Sequence, residues 1–96
     1  MSIYLTAIIK CKPGFAAAMK LLLMDLVAPS KTEDTCLQYD LHQSATDENL
    51  FIFHEEWANP EGLQEHNEKP YIKRFISDSK DIIDGTTIIH QTKKIA

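Results

Sequence analysis

Only two of the 96 residues are cysteine and only three are glycine. Cys11 and Cys36 are too few for a disulfide framework, and neither has a second cysteine at metal-ligand spacing. Both are therefore expected to be reduced core residues. The scarcity of glycine goes with the lack of a Gly-rich phosphate loop, and there is no nucleophile elbow or cysteine–histidine motif. Basic residues are outnumbered, ten Lys and Arg against fourteen Asp and Glu, for a net charge of -4. Only Lys73-Arg74 and Lys93-Lys94 are adjacent, so no positive stripe is available for a phosphate backbone, and nucleic acid is not an expected partner. No helical apolar stretch approaches the roughly 20 residues of a membrane span. The longest is broken by Met19-Lys20 and Asp25. The N-terminus enters an alternating pattern at once, without the features of a secretory leader, and a cytoplasmic protein with no membrane attachment is expected.

What remains is ordinary globular material. Apolar residues make up 44% and charged residues 25%, and the length suits one small domain over residues 1–96, near the lower limit for a self-sufficient core. Ile3 to Cys11 alternates with strand periodicity. Lys12-Pro13-Gly14 punctuates it, after which Phe15, Met19, Leu22, Leu23 and Leu26 recur at helical spacing until Pro29 is expected to end the helix. A second strand, Cys36 to His42, leads through a polar turn at Ala45 to Asn49 into a third, Leu50 to Trp57. Asn59 is a good N-cap and Pro60 suits a first helical position. Pro70 should interrupt that helix, and the stretch beyond it is expected to turn Tyr71, Ile72, Phe75 and Ile76 inward. Asp84-Gly85 ends the region before a β-branched last strand, Thr86 to Thr92.

The order βαββαβ fits an α+β, ferredoxin-like fold, a four-stranded antiparallel sheet with its helices on one face. The first and second strands are not neighbours in that arrangement, which makes a Cys11–Cys36 bridge improbable. The third strand is oily on both faces, with Phe51 and Phe53 on one side and Leu50 and Ile52 on the other. Helices cover only one side. A second copy of the chain is the economical cover for the other, giving a two-fold homodimer with the sheets face to face.

The chain also resembles a family, the antibiotic-biosynthesis-monooxygenase-like domains, which are small dimeric α+β barrel proteins. The residues that carry the resemblance are Lys12-Pro13-Gly14, Cys36-Leu37-Gln38-Tyr39-Asp40, Phe51 with Glu55 and Trp57, Leu63 with His66, and Pro70-Tyr71 with Phe75. The family includes quinol monooxygenases that use dioxygen with no metal, haem or flavin, and an isomerase of a phosphorylated autoinducer. It also has members not known to be enzymes. The resemblance implies one pocket per subunit between the sheet and its own helices. It implies no haem, because Phe75, Ile76 and Ser77 stand where the haem-degrading branch carries its proximal histidine. Phe53 stands where the polyketide-oxidising branch has an asparagine.

Cofactor-free oxygenation asks for a base to deprotonate a phenol or enol, a dry cavity, and polar groups to hold the anion. His66 lies on the same helix face as Leu63 and is the expected base; the bland alternative is a helix-end histidine that only packs. Glu55 and Trp57 share a strand face. Glu55 is costly there unless paired, so it is an anchor or a second general base, the anchor being favoured. Trp57 is either an aromatic wall for substrate or core packing. Phe53, Leu63 and Phe75 would line the same space, and Tyr39 and Tyr71 are candidates to orient a substrate hydroxyl. His42, His54 and His90 fall on three strands without the spacing of a metal site, so no metal is expected. The resulting expectation is a monooxygenase acting on a small phenolic, quinol-type or enolisable compound, without cofactor. The alternatives are an isomerase of a small carbonyl compound and a non-catalytic dimeric binding protein.

Overall fold

Alternation along three strands decides which side of the sheet is covered. The computed structural model describes residues 2–96, in which β1 (Ile3–Lys10), α1 (Ala16–Met24), α2 (Val27–Lys31), β2 (Cys36–Gln43), β3 (Leu50–Trp57), α3 (Pro60–Asn67), α4 (Pro70–Ser79) and β4 (Ile88–Thr92) follow in order. The strands form one antiparallel sheet in the order β2-β3-β1-β4. This is the expected ferredoxin-like α+β topology, with β1 and β2 kept apart by β3. Both cysteines are free.

Leu5, Ala7 and Ile9 of β1 bury toward the helices, in register with Glu55, Phe53 and Phe51 of β3. Tyr39 and Leu41 join them from β2. Met19, Leu23 and Leu26 cover this face from the first helical region, and Tyr71, Ile72 and Phe75 of α4 pack against its margin. Trp57, Phe51, Met19 and Leu23 are among the fully buried side chains. Each such burial contributes about 1.5–3 kcal/mol, so these few residues dominate the core.

Several local expectations need correction. Pro29 does not end the first helix: α1 stops at Met24 and the chain re-enters helix as α2, with Pro29 as its third residue. A proline is tolerated there because the first-turn N–H groups have no intrahelical acceptor. Phe15 and Ile76 are exposed rather than inward, and Ser79 takes the buried place one turn beyond Phe75. The last strand begins at Ile88 rather than Thr86.

The uncovered face is mixed, not uniformly oily. Ile52, Ile8 and Ile88 lie side by side across it, with His42 completing their row at the β2 edge, but the next row is Asp40, His54, Thr6 and His90. The row beyond that is Gln38, Glu56, Tyr4 and Thr92. An apolar strip thus borders a polar one. No helix among the described residues is long and apolar enough to cross a membrane.

Candidate active site

The placement of α3 begins with its cap. Asn59 accepts a hydrogen bond from the Gly62 N–H at 2.8 Å through Oδ1, and Pro60 fills the position where an N–H would go unused. Gly62 then lets the helix settle against the β2 approach. A Cβ at this glycine would stand 2.1 Å from Thr35 Oγ1 and 2.5 Å from Thr35 Cβ. Thr35 is itself pinned, its carbonyl accepting from the Ala58 N–H at 2.8 Å. The close approach brings His66, one turn after Gly62, against the segment that carries Glu33.

There His66 Nδ1 lies 2.7 Å from Glu33 Oε2, and the Tyr71 hydroxyl donates to the same oxygen. The His66 and Glu33 side chains are 5% and 8% exposed, dry enough for this arrangement to be strongly directional. A carboxylate facing Nδ1 accepts a hydrogen bond from Nδ1–H, which keeps the ring proton on that nitrogen and leaves Nε2 with the free lone pair. The imidazole sits in an aromatic nest, its centroid 4.4 Å from that of Trp57 with the planes tilted by 41°, and 5.4 Å from that of Tyr39, which meets it edge-on. Tyr39 in turn packs on Phe53 at 4.7 Å.

Glu55 lies on the same strand face and accepts from Trp57 Nε1 at 2.9 Å. Burial pushes its carboxyl up to about 7 from an ordinary 4.5; the Trp57 hydrogen bond opposes the shift, and the charge of Glu33 adds to it. Burial also raises the phenols of Tyr39 and Tyr71 above their usual range, helped in Tyr39 by Glu55 and in Tyr71 by Glu33. Both phenols are therefore neutral hydrogen-bond donors at physiological pH. The Ser30 hydroxyl is fully buried and makes no hydrogen bond among the described residues. The cluster holds two carboxyls, an imidazole and two phenols in the interior of a small domain. Such a set is expensive in stability and is well suited to moving a proton.

Of the sequence candidates, His66, Trp57, Tyr39, Tyr71, Phe53 and Glu55 come together here. Leu63 and Phe75 are half-buried against the core at its margin. Glu33 was not anticipated. It sits in the polar connection before β2, 33 residues from its partner His66, and only the burial of a carboxylate beside a histidine identifies it. Ser30 was missed for the same reason. On the open face His42 and His54 stack edge-on at 5.1 Å. No group of three or more His, Cys, Asp or Glu among the described residues is arranged to hold a metal ion.

A surface groove of about 750 Å³ runs between the α1–α2 region and β2. Tyr39, Leu41 and Phe51 line its sheet side, Met24 and Val27 its helix side. Neither His66 nor Trp57 lines it; Tyr39 is the residue common to the groove and the buried cluster.

The chain is thus a small ferredoxin-like α+β domain with an imidazole, carboxyls and phenols held beneath one half of its sheet. Residues 2–78 match the family described as antibiotic biosynthesis monooxygenase, and the chain belongs to that family. Among its relatives is PA3566 of Pseudomonas aeruginosa, whose crystal structure superimposes with a TM-score of 0.94 at 36% identity, covering 99% of this chain and 95% of that one. The Bacillus subtilis protein named "Putative monooxygenase YcnE" is 29% identical over 91 residues, 95% of this chain and 96% of its own. The protein sll1783 of Synechocystis sp. is 32% identical over 75 residues, which is 78% of this chain; the match spans about half, 51%, of its length. The family description and the name of the Bacillus subtilis relative agree on a monooxygenase-like function in general terms.

Proposed function

We propose that this protein oxidises a small phenolic, quinol-type or enolisable compound with dioxygen, with no metal, haem or flavin, and that His66 is the base. The observation that carries the reading is the Glu33-anchored imidazole, buried against Trp57 and Tyr39. Its Nε2 would accept the proton of a substrate hydroxyl, with the Glu33 carboxylate stabilising the imidazolium. The resulting anion is electron-rich enough to reduce dioxygen. Carbon–oxygen bond formation para to the hydroxyl, protonation of the peroxide and loss of water then convert a phenol and one O2 into a quinone and one H2O, with no external reductant. In this reading the neutral phenols of Tyr39 and Tyr71 orient the anion, Glu55 is a second proton acceptor, and Trp57, Phe53, Leu63 and Phe75 are the apolar wall.

Oxygen consumption over a panel of quinols, in the wild type and in His66→Ala and Glu33→Gln, tests it. Loss of at least about a hundredfold in His66→Ala is expected, in the range for removal of a general base. Equal rates in wild type and His66→Ala would remove His66 from the mechanism. Turnover under anaerobic conditions would instead indicate isomerisation of a small carbonyl compound by the same base.

One observation favours a second reading. The groove between α1–α2 and β2 is lined by neither His66 nor Trp57, which suits a non-catalytic small-molecule-binding protein; no oxygen uptake with any quinol would support it. Under either reading we propose a homodimer through the open sheet face, the Ile8, Ile52 and Ile88 strip being its apolar contact. Native mass measurement checks this.

A further inference from the structure

We propose that α3 is a hinged lid: it carries His66, is latched shut through Glu33, and swings away from β3 as a unit while the sheet and α1 stay folded. The inference rests on the reaction proposed above only for the lid's purpose, since the motion itself needs neither substrate nor dioxygen.

Very little hydrocarbon holds α3 down. Within Pro60–Asn67 only Gly62 and His66 are buried, and Leu63, the one large aliphatic side chain, is half-buried. By contrast α1 buries Met19 and Leu23 completely. Docking of α3 therefore falls to short-range contacts with one brief segment, Gly62 against Thr35 and His66 Nδ1 with Glu33. An element with few buried apolar contacts opens below the free energy of global unfolding. Its ends suit a pivot as well. An extended residue precedes a proline at each, Asn59 before Pro60 and Lys69 before Pro70. The prolines have no N–H to tie the helix back to the preceding chain, and element-terminal positions of this kind absorb hinge rotation.

The closed lid leaves no space on the face of the imidazole that meets Trp57. The two ring centroids are 4.4 Å apart and the indole is 0% exposed, which is direct aromatic contact with no gap for a third ring. A planar substrate can lie between His66 and Trp57 only after α3 has moved off β3. The latch stays behind when it does, because the Tyr71 hydroxyl of α4 donates to the same Glu33 oxygen. Reclosure then sets the base against the bound substrate and excludes water from the anion.

The experiment is native-state amide hydrogen exchange on the full chain, read residue by residue by NMR. Glu33→Gln weakens the latch, so the α3 amides from Leu63 to Asn67 should exchange about ten- to a hundredfold faster, the range for a hydrogen bond to a charged group. Ile9→Val loosens the core that an open lid leaves intact. It should speed the β1 and β3 amides about two- to tenfold and leave those of α3 unchanged. Leu63→Ala should raise α3 exchange and the diethyl pyrocarbonate modification of His66 together, each by about tenfold; the exposed His54 and His90 serve as internal standards. Unaltered α3 exchange in Glu33→Gln would overturn the latch. Acceleration of α3 together with the strands in Ile9→Val would overturn the lid, by showing that α3 opens only when the whole domain unfolds. So would faster α3 exchange in Leu63→Ala without faster His66 modification, the mark of a helix that frays without uncovering its imidazole. None of these readings uses a quinol, so the expected exchange pattern combined with no oxygen uptake would uphold the lid and refute the reaction.

Discussion

The two halves of β3 share the helix-covered face of the sheet and do different work. At one end Phe51 and Phe53 pair across the sheet with Ile9 and Ala7 and bury into hydrocarbon. At the other, Glu55 and Trp57 pair with Leu5 and Ile3 but share the interior with His66, Glu33 and Tyr71. Both ends are extended strand, the pairing with β2 slipping by one residue only beside Trp57, between Cys36 and Gln38, so the difference comes chiefly from side-chain chemistry. The apolar end supplies stability, and the polar end spends some of it to hold a reactive arrangement.

Substitutions at each end sharpen this contrast. Phe51→Ala at the apolar end should destabilise the fold by about 3–5 kcal/mol, measured by denaturant unfolding, because a fully buried ring leaves a cavity. A loss below about 1 kcal/mol would mean that the apolar end is not the stabilising one. Gly62→Ala acts at the seam between the halves. Its new Cβ would collide with Thr35 Cβ, not only with the rotatable hydroxyl, so α3 must lift. A cost of about 1–3 kcal/mol is expected, together with a weakened His66–Glu33 contact visible in the imidazole NMR signals.

Glu55→Gln should do the opposite of the core substitution. With its carboxyl pushed up to about 7, the folded protein keeps a proton between pH 4.5 and 7 that the unfolded chain has released. Stability is therefore full below the lower value and falls as pH rises through the window, by an amount on the order of 3 kcal/mol. Glutamine retains an acceptor for Trp57 Nε1 and carries no charge. It should flatten the profile across that window and raise stability at pH 8 by about 1–3 kcal/mol. A wild-type profile already flat between pH 4.5 and 7 would contradict the burial of an ionisable Glu55.

The smallest effect belongs to Ser30→Ala. Its hydroxyl is buried without a hydrogen-bond partner among the described residues, so removing it should be neutral or stabilising by up to about 1 kcal/mol in the same unfolding assay. A clear loss of stability would show that the hydroxyl bonds to Tyr39 or Tyr71.

This contrast also explains what the amino-acid order disclosed. The sheet topology was legible because β1 and β3 read as apolar strands bounded by turn residues and because Asn59-Pro60 and Pro70 punctuate the helices. The first helical region was less so: Phe15 fits a 3.6-residue stripe but lies before the helix begins, and the break after Met24 has no proline or glycine to mark it. Among site residues, His66, Glu55 and Trp57 were legible because polar groups at inward positions break the expected pattern. Glu33 was not, since a glutamate in the segment Ser30 to Thr35 looks like any solvated loop residue until α3 is folded over it. Local pattern carries no information about a contact 33 residues away in the chain.

The hydrogen bond from the Trp57 indole to Glu55 makes the molecule report on itself. The chain has one tryptophan, so its entire indole emission comes from a ring hydrogen-bonded to the carboxyl that burial pushes up to about 7 and packed against the imidazole of His66. Proton traffic in the interior is thereby written into an optical signal that needs no label.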